Sequence, residues 1–273
     1  MVNLISTHAI YEYLCSLAVQ HIVTDDDQLV FEALKHNDIQ HACQAIRETQ
    51  SGEVVYQHLT LRFGLRGEQS VYQFELSEQM QYCLDLFSLY LALRQTQFQL
   101  EAFHPDLISN VVVPIRVDAL LWDPGVYFLE QMVQFHSAAF QHVIPSLQAD
   151  ETLCLHERME TLVEKLKENA FALWFEVATS QTHFERIAEF DPDMIKLSVT
   201  IENKQDQHSF LPIARFLRKH KYQWVAGRVA SQVELNRYRL LGASYYFGYF
   251  SDIPTSLSFR SFDEESLKPN PHG

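Results

Sequence analysis

The sequence predicts an α/β protein whose parallel strands close into a barrel wrapped by helices, and three observations support this. Short apolar segments rich in β-formers alternate with helical patterns along most of the chain. Alternation of that kind pairs strands in parallel through crossover helices. The number of units, in 273 residues, favours a closed (β/α) barrel over an open sheet. The open, doubly wound alternative lacks its phosphate loop, since the chain has only eight glycines and no Gly-rich motif.

The elements follow in order. Residues 5–23 read as a helix, with Ile5, Ala9, Leu14, Leu17, Ala18 and Ile22 near helical spacing. Asp25-Asp26-Asp27 reads as a charged turn, because adjacent carboxylates repel. A helix from Leu29 to His36 follows. Gly52 closes a turn before a strand from Glu53 to Phe63. Ser77 caps a helix that carries Met80, Leu84, Phe87 and Leu91 on one face. Val111 to Val117 is a strand, and Asp123-Pro124-Gly125 turns into a helix. Val143 to Leu147 is a strand, and Met159, Leu162, Val163, Leu166 and Ala170 mark a helix. Phe171 to Val177 and Met194 to Val199 are strands, with a short helix between them ending near Phe190. Leu211 to Lys219 is helical, with Pro212 tolerable only in the first turn. Tyr222 to Val229 is a strand. Ser231 and Glu234 match a capping box, and Gly242 stops that helix. Tyr245 to Phe250 is the last strand, and the polar tail from about Ser261 carries Pro269 and Pro271.

Composition narrows the function. Apolar residues make up 47% and charged residues 21%, which suits a packed globular core. A net charge of −14 repels phosphate backbones and argues against general nucleic-acid binding. The basic cluster Arg215, Arg218, Lys219, His220 and Lys221 reads as the solvated face and end of a helix. The four cysteines form no C-x-x-C pair, so a reducing compartment fits. The thirteen histidines contain no close helical pair of the metal-binding kind. No apolar run is long enough to span a membrane, and no signal peptide is evident. The expected location is therefore the cytoplasm.

Several segments, in order, resemble landmarks of the EAL family, which hydrolyses cyclic di-GMP. Phe31–Ile39 resembles the family's opening helix, and Gln44-Ala45-Ile46 its Q-P-I strand. Ser51–Arg62 resembles T-G-x-V-V-G-Y-E-A-L-L-R without a gap. Lys196-Leu197-Ser198 occupies the K-I-D position, and Val225–Ser231 resembles I-A-E-G-V-E-T. Leu241-Gly242 and Phe247-Gly248-Tyr249 resemble the closing L-G and Q-G-Y. The resemblance implies a modified TIM-type barrel with an antiparallel first strand. It divides the chain into an N-terminal helical extension (1–27), the barrel (28–258) and a flexible tail (259–273).

The resemblance also implies two divalent metals, magnesium or manganese, at the C-terminal strand ends. There they would activate water for attack on a phosphodiester. Hard cations need converging oxygen ligands, and most of the matching positions lack them here. The glutamate of E-A-L corresponds to His58. The asparagine on the next strand corresponds to Arg116, which cannot ligate a metal. The metal glutamate of E-I-T-E becomes Gln148, with Glu151 nearby. The D-D-F-G motif falls on Phe175-Glu176-Val177-Ala178, so Phe175 stands where a bridging carboxylate is expected. The glutamates of A-E-G-V-E become Gly227 and Ala230, and the glutamine of Q-G-Y becomes Phe247.

These substitutions predict a vestigial pocket with no catalytic residue, no metal and no cofactor. Phe175, Phe247 and Arg116 are expected to fill its mouth. Arg62 is the residue retained for nucleotide contact. Lys196, the residue that orders water in the family, is expected to pair with Glu176 or Glu151. The expected role is a non-catalytic regulatory protein of the motility or biofilm type, acting through a protein partner. Leu76–Leu84 resembles a stretch of the catalytically inactive anti-flagellar regulator subgroup. The helix of residues 5–23 would offer a docking or homodimer surface, or cap the open bottom of the barrel. A receptor that binds cyclic di-GMP without cleaving it is the alternative, although most polar contacts are gone. An active phosphodiesterase is a third reading that requires a different alignment.

Overall fold

The computed structural model describes residues 3–64, 69–104, 107–148, 155–178, 183–198 and 204–257. Glu151 and the tail 259–273 lie outside the described residues.

The chain opens with α1 (Thr7–Ala18), which buries Ile10, Leu14, Leu17 and Ala18 and ends in a 3₁₀ turn (Val19–His21). The helix packs against the helical segments 25–35 and 78–102. Leu4 N–H donates to Gln131 Oε1 at 3.1 Å, Tyr13 Oη donates to the Pro124 carbonyl, and Tyr11 Oη donates to the Leu34 carbonyl. The Asp25–Asp27 run is the first turn of α2 (Asp25–Lys35) and not a separate turn. Thr24 and Asp27 form a reciprocal capping box, with both bonds at 3.0 Å. Carboxylates are favoured there, because a helix N-terminus presents free N–H groups and a positive dipole end. Asp27 also accepts the Val23 and Ser77 N–H groups. Burial alone would raise its carboxyl, but these donors hold it below the usual value.

Strand β1 (Ile39–Glu48) pairs antiparallel with β2 (Val54–Phe63), and β3 (Gln69–Ser70) extends β2. The long helix α3 (Glu78–Ala102) is capped by Ser77 as expected. Then follow β4 (Val111–Arg116), α4 (Val117–Leu121), α5 (Asp123–Phe135), α6 (Ser137–Phe140) and β5 (Val143–Gln148). The second half runs α7 (Met159–Asn169), β6 (Trp174–Val177), α8 (Phe184–Glu189), β7 (Met194–Leu197), α9 (Lys204–His220) and β8 (Trp224–Ala226). It ends with α10 (Gln232–Leu241), β9 (Tyr245–Tyr246) and β10 (Thr255–Leu257).

Strands β2 and β4 to β9 are parallel, and β1 closes the ring by pairing antiparallel with both β2 and β9. The result is an eight-stranded barrel with an antiparallel first strand, as expected. One apolar layer fills the barrel: Ile46, Val112, Ile144, Trp174, Met194, Val225 and Phe247. A larger one lies between strands and helices and includes residues of α1 and α2.

Several boundaries differ from the sequence reading. The strands expected at 171–177, 222–229 and 245–250 are shorter, because their outer residues leave the sheet as loops. Val117 belongs to α4 and not to β4. Helix α9 begins seven residues earlier than expected and holds Pro212 in its interior, its polar start giving no apolar period. Gly242 ends α10 at φ 93, a left-handed cap. Ser231 Oγ accepts from Glu234 N–H, but the Glu234 carboxylate bonds Ala230 N–H, so the capping box is only half formed.

Candidate functional site

The C-terminal ends of the parallel strands converge on one mouth, and strand alternation decides which side chains enter it. On β6, Trp174 belongs to the barrel interior, so Glu176 also points inward and Phe175 points out. Phe175 stacks on Phe190 at 5.7 Å in the outer layer. It does not fill the mouth, contrary to the sequence expectation; Glu176 occupies that face.

Lys196, inward on β7, donates from Nζ to Glu176 Oε2 at 2.8 Å and to His58 Nε2 at 3.0 Å. Gln148 Nε2 donates to the same Glu176 oxygen at 2.9 Å, and Ser198 Oγ donates to the other. Burial would raise the Glu176 carboxyl, but Lys196, Ser198 and Gln148 together hold it below its usual value. His58, inward on β2, has its pKa driven well down by burial first, then by the charges of Lys196 and Arg228. The ring is therefore neutral. Because Nε2 accepts from Lys196, the proton sits on Nδ1, which has no partner among the described residues.

Phe247 stacks on His58 with ring centroids 4.3 Å apart and lies 5.8 Å from Lys196 Nζ. Its ring also covers Gly227, where an added Cβ would sit 2.7 Å from the Leu197 carbonyl oxygen and 3.1 Å from the ring. A side chain at 227 and the ring at 247 thus compete for one space.

Arg116, at the end of β4, leaves the centre. Its guanidinium bonds both Asp85 oxygens at 3.0 Å, and its backbone N–H adds a third bond at 2.9 Å. Asp85, Arg116, Gln148 and Thr60 line a cleft of about 210 Å³ between β2, β4 and α3. Arg62 sits at the rim, where its one polar contact among the described residues is with Tyr249 Oη at 3.4 Å. Ala230 lies in the exposed loop after β8.

The mouth thus brings together His58, Gln148, Glu176, Lys196, Gly227 and Phe247. Arg62, Arg116 and Ala230 are peripheral. Sequence reasoning missed Asp85 and Ser198. Ser198 follows Lys196 by two residues and so shares its face; Asp85, on a helix, carries no such signal. Among the described residues, no group of three His, Cys, Asp or Glu side chains is placed to hold a metal ion. No described helix is long and apolar enough to cross a membrane.

The EAL domain profile matches residues 27–252. The chain belongs to the EAL domain family. No curated protein matches the sequence significantly. Solved EAL structures share the fold at low identity. The phosphodiesterase PaMucR in complex with c-di-GMP superposes with a TM-score of 0.67 at 16% identity, over 85% of this chain and 98% of that one. Vibrio cholerae LapD (S helix-GGDEF-EAL), bound to c-di-GMP, gives 0.66 at 17% identity, over 83% of this chain and 56% of its own. Klebsiella pneumoniae BlrP1, with calcium and cyclic di-GMP, gives 0.63 at 17%, over 82% and 57%. The chain therefore spans little more than half of the LapD and BlrP1 chains. The EAL barrel explains the antiparallel β1 and the position of the mouth.

Proposed function

We propose that this EAL protein is a non-catalytic regulator in bacterial signalling that acts by contact with another protein. One observation carries the reading: the Lys196 ammonium sits 2.8 Å from Glu176 and 3.0 Å from His58, where a dication would need free oxygen donors. Both Glu176 oxygens are already engaged, Gln148 presents its N–H to them, and Gly227 offers no ligand. Such a donor set does not fit a two-metal centre of the kind that activates water for phosphodiester hydrolysis. The test is incubation of the purified chain with cyclic di-GMP and magnesium or manganese. No turnover is expected; metal-dependent hydrolysis would refute the reading.

A second reading, a receptor that binds cyclic di-GMP uncleaved, draws on Arg62, whose guanidinium has one long polar contact among the described residues. Isothermal titration with cyclic di-GMP separates the two. Heat that disappears in Arg62→Ala would favour the receptor.

A further inference from the structure

We propose that the barrel rim formed by Arg62, Arg228, Tyr249, Phe250 and Ile253 docks an acidic, apolar segment of a partner protein. The proposal rests on the non-catalytic reading above and specifies its contact face.

Two loops build this rim and are zipped to each other. Val229 N–H donates to the Phe247 carbonyl at 3.1 Å, and Phe250 N–H returns to the Val229 carbonyl at 3.0 Å. The approach is so close that a Cβ on Gly248 would lie 2.2 Å from the Val229 oxygen. The second loop then turns on itself, with Ser251 and Asp252 N–H both donating to the Gly248 carbonyl. Asp252 anchors the turn to β1 through two bonds to the Arg47 guanidinium, at 2.9 and 2.8 Å, and its carbonyl accepts from Gln44 at 2.7 Å. The turn is therefore held from both sides, and ordering it on binding costs little.

What it presents is a cluster of exposed apolar side chains. Tyr249 is 64% exposed, Ile253 78% and Phe250 38%, all within five residues. Arg228 stands exposed on the partner loop at φ 59, a left-handed conformation that is uncommon outside glycine. Neither Arg62 nor Arg228 has a carboxylate partner among the described residues. Tyrosine, phenylalanine and arginine on a rigid turn are the composition of an interface centre. Two guanidinium groups with no carboxylate partner among the described residues, on a protein of charge −14, select a partner with carboxylates beside its apolar side chains. A small nucleotide fits less well, because it needs a concave pocket and Phe247 fills the floor below.

The experiment selects a displayed library of random short peptides on the immobilised full chain. The best peptide is then titrated by fluorescence anisotropy. Enriched sequences are expected to combine Asp or Glu with aliphatic or aromatic residues. The double variant Arg62→Glu/Arg228→Glu and the uncharged variant Ile253→Ser should each weaken binding by about tenfold or more, the scale of an interface centre. Unchanged circular dichroism would show that both variants fold. Basic or purely polar peptides, no enrichment, or equal affinity for the variants would overturn the proposal. So would cyclic di-GMP binding that the same variants abolish, which would make the rim a nucleotide site. Peptides indifferent to the rim variants would leave the non-catalytic reading standing. Metal-dependent turnover by the wild type would instead remove that reading itself.

Discussion

Lys196 Nζ lies 2.8 Å from Glu176 Oε2, with side-chain exposures of 3% and 8%, so the barrel mouth is closed by a buried ion pair. The pair is buttressed on each side by neutral partners: His58 accepts from the lysine, and Gln148 and Ser198 donate to the carboxylate. Removing one member of such a pair strands the other, which costs about 3–5 kcal/mol. Glu176→Gln and Lys196→Met are each expected to lose stability on that scale in urea unfolding. The double variant should lose clearly less than their sum. Additivity within about 0.5 kcal/mol would show that the two groups are not coupled.

Acid should destabilise the fold well before its carboxylates titrate. His41 is buried against Ser88, its Nε2 3.0 Å from Ser88 Oγ, and burial pushes its pKa from 6.5 down to about 3. Below 6.5 the unfolded chain takes up a proton that the folded chain refuses. This contribution is therefore complete above about pH 6.5 and is lost progressively as the pH falls towards 3. At pH 5 the loss from His41 alone is about 2 kcal/mol. His58, also driven down by burial, adds in the same direction. Thermal melts between pH 7 and 5 should show the decline, and His41→Gln should flatten it. A melting temperature that rises on acidification would contradict the argument.

Restoring single family residues should not restore a metal site. His58→Glu sets a second carboxylate beside Lys196, which then pairs with the ammonium and not with a dication. Neither magnesium-dependent turnover nor a metal-induced rise in melting temperature is expected. Gly227→Glu meets the Leu197 carbonyl and the Phe247 ring, and should destabilise by about 1–3 kcal/mol, as overpacking does. A stable Gly227→Glu variant would mean that both the Leu197 carbonyl and the Phe247 ring give way at little cost.

Gly248→Ala tests the zipped loops. The added methyl would collide with the Val229 backbone, which cannot retreat as a flexible side chain would. A loss of about 2 kcal/mol or more is expected from such a clash. The melting temperature reads it directly, and an unchanged value would show that the loops separate at little cost.

Most of the fold could be read from the residues. The β2 and β5 segments are runs of β-formers, and Ser77, Ser231 and Gly242 sit where capping chemistry puts them, although α3 is buried on nearly every side and not on the one face its spacing suggests. The failures share a cause: local pattern does not report tertiary partners. Asp25–Asp27 looks repulsive until Thr24 and the Ser77 N–H are in place. β10 has only three residues and depends on β1 to exist as a strand. In the site, alternation along β6 would have turned Phe175 outward and Glu176 inward, had strand phase been read from Trp174. The carboxylate of Asp85, brought to Arg116 from a helix, could not be found by any spacing rule.

The ring's closure has a kinetic consequence. β1, near the start of the chain, is sealed on its second side only by β9 and β10, some two hundred residues later. During synthesis β1 and β2 form a hairpin with an unpaired edge. That edge begins to pair only when residues 245–246 have emerged, and its His41–Cys43 stretch waits for residues 255–257. Contacts of such long sequence separation make folding slow and expose strand edges to wrong partners. Truncation just before β10 should therefore impair solubility on expression more than the loss of three short pairings would suggest.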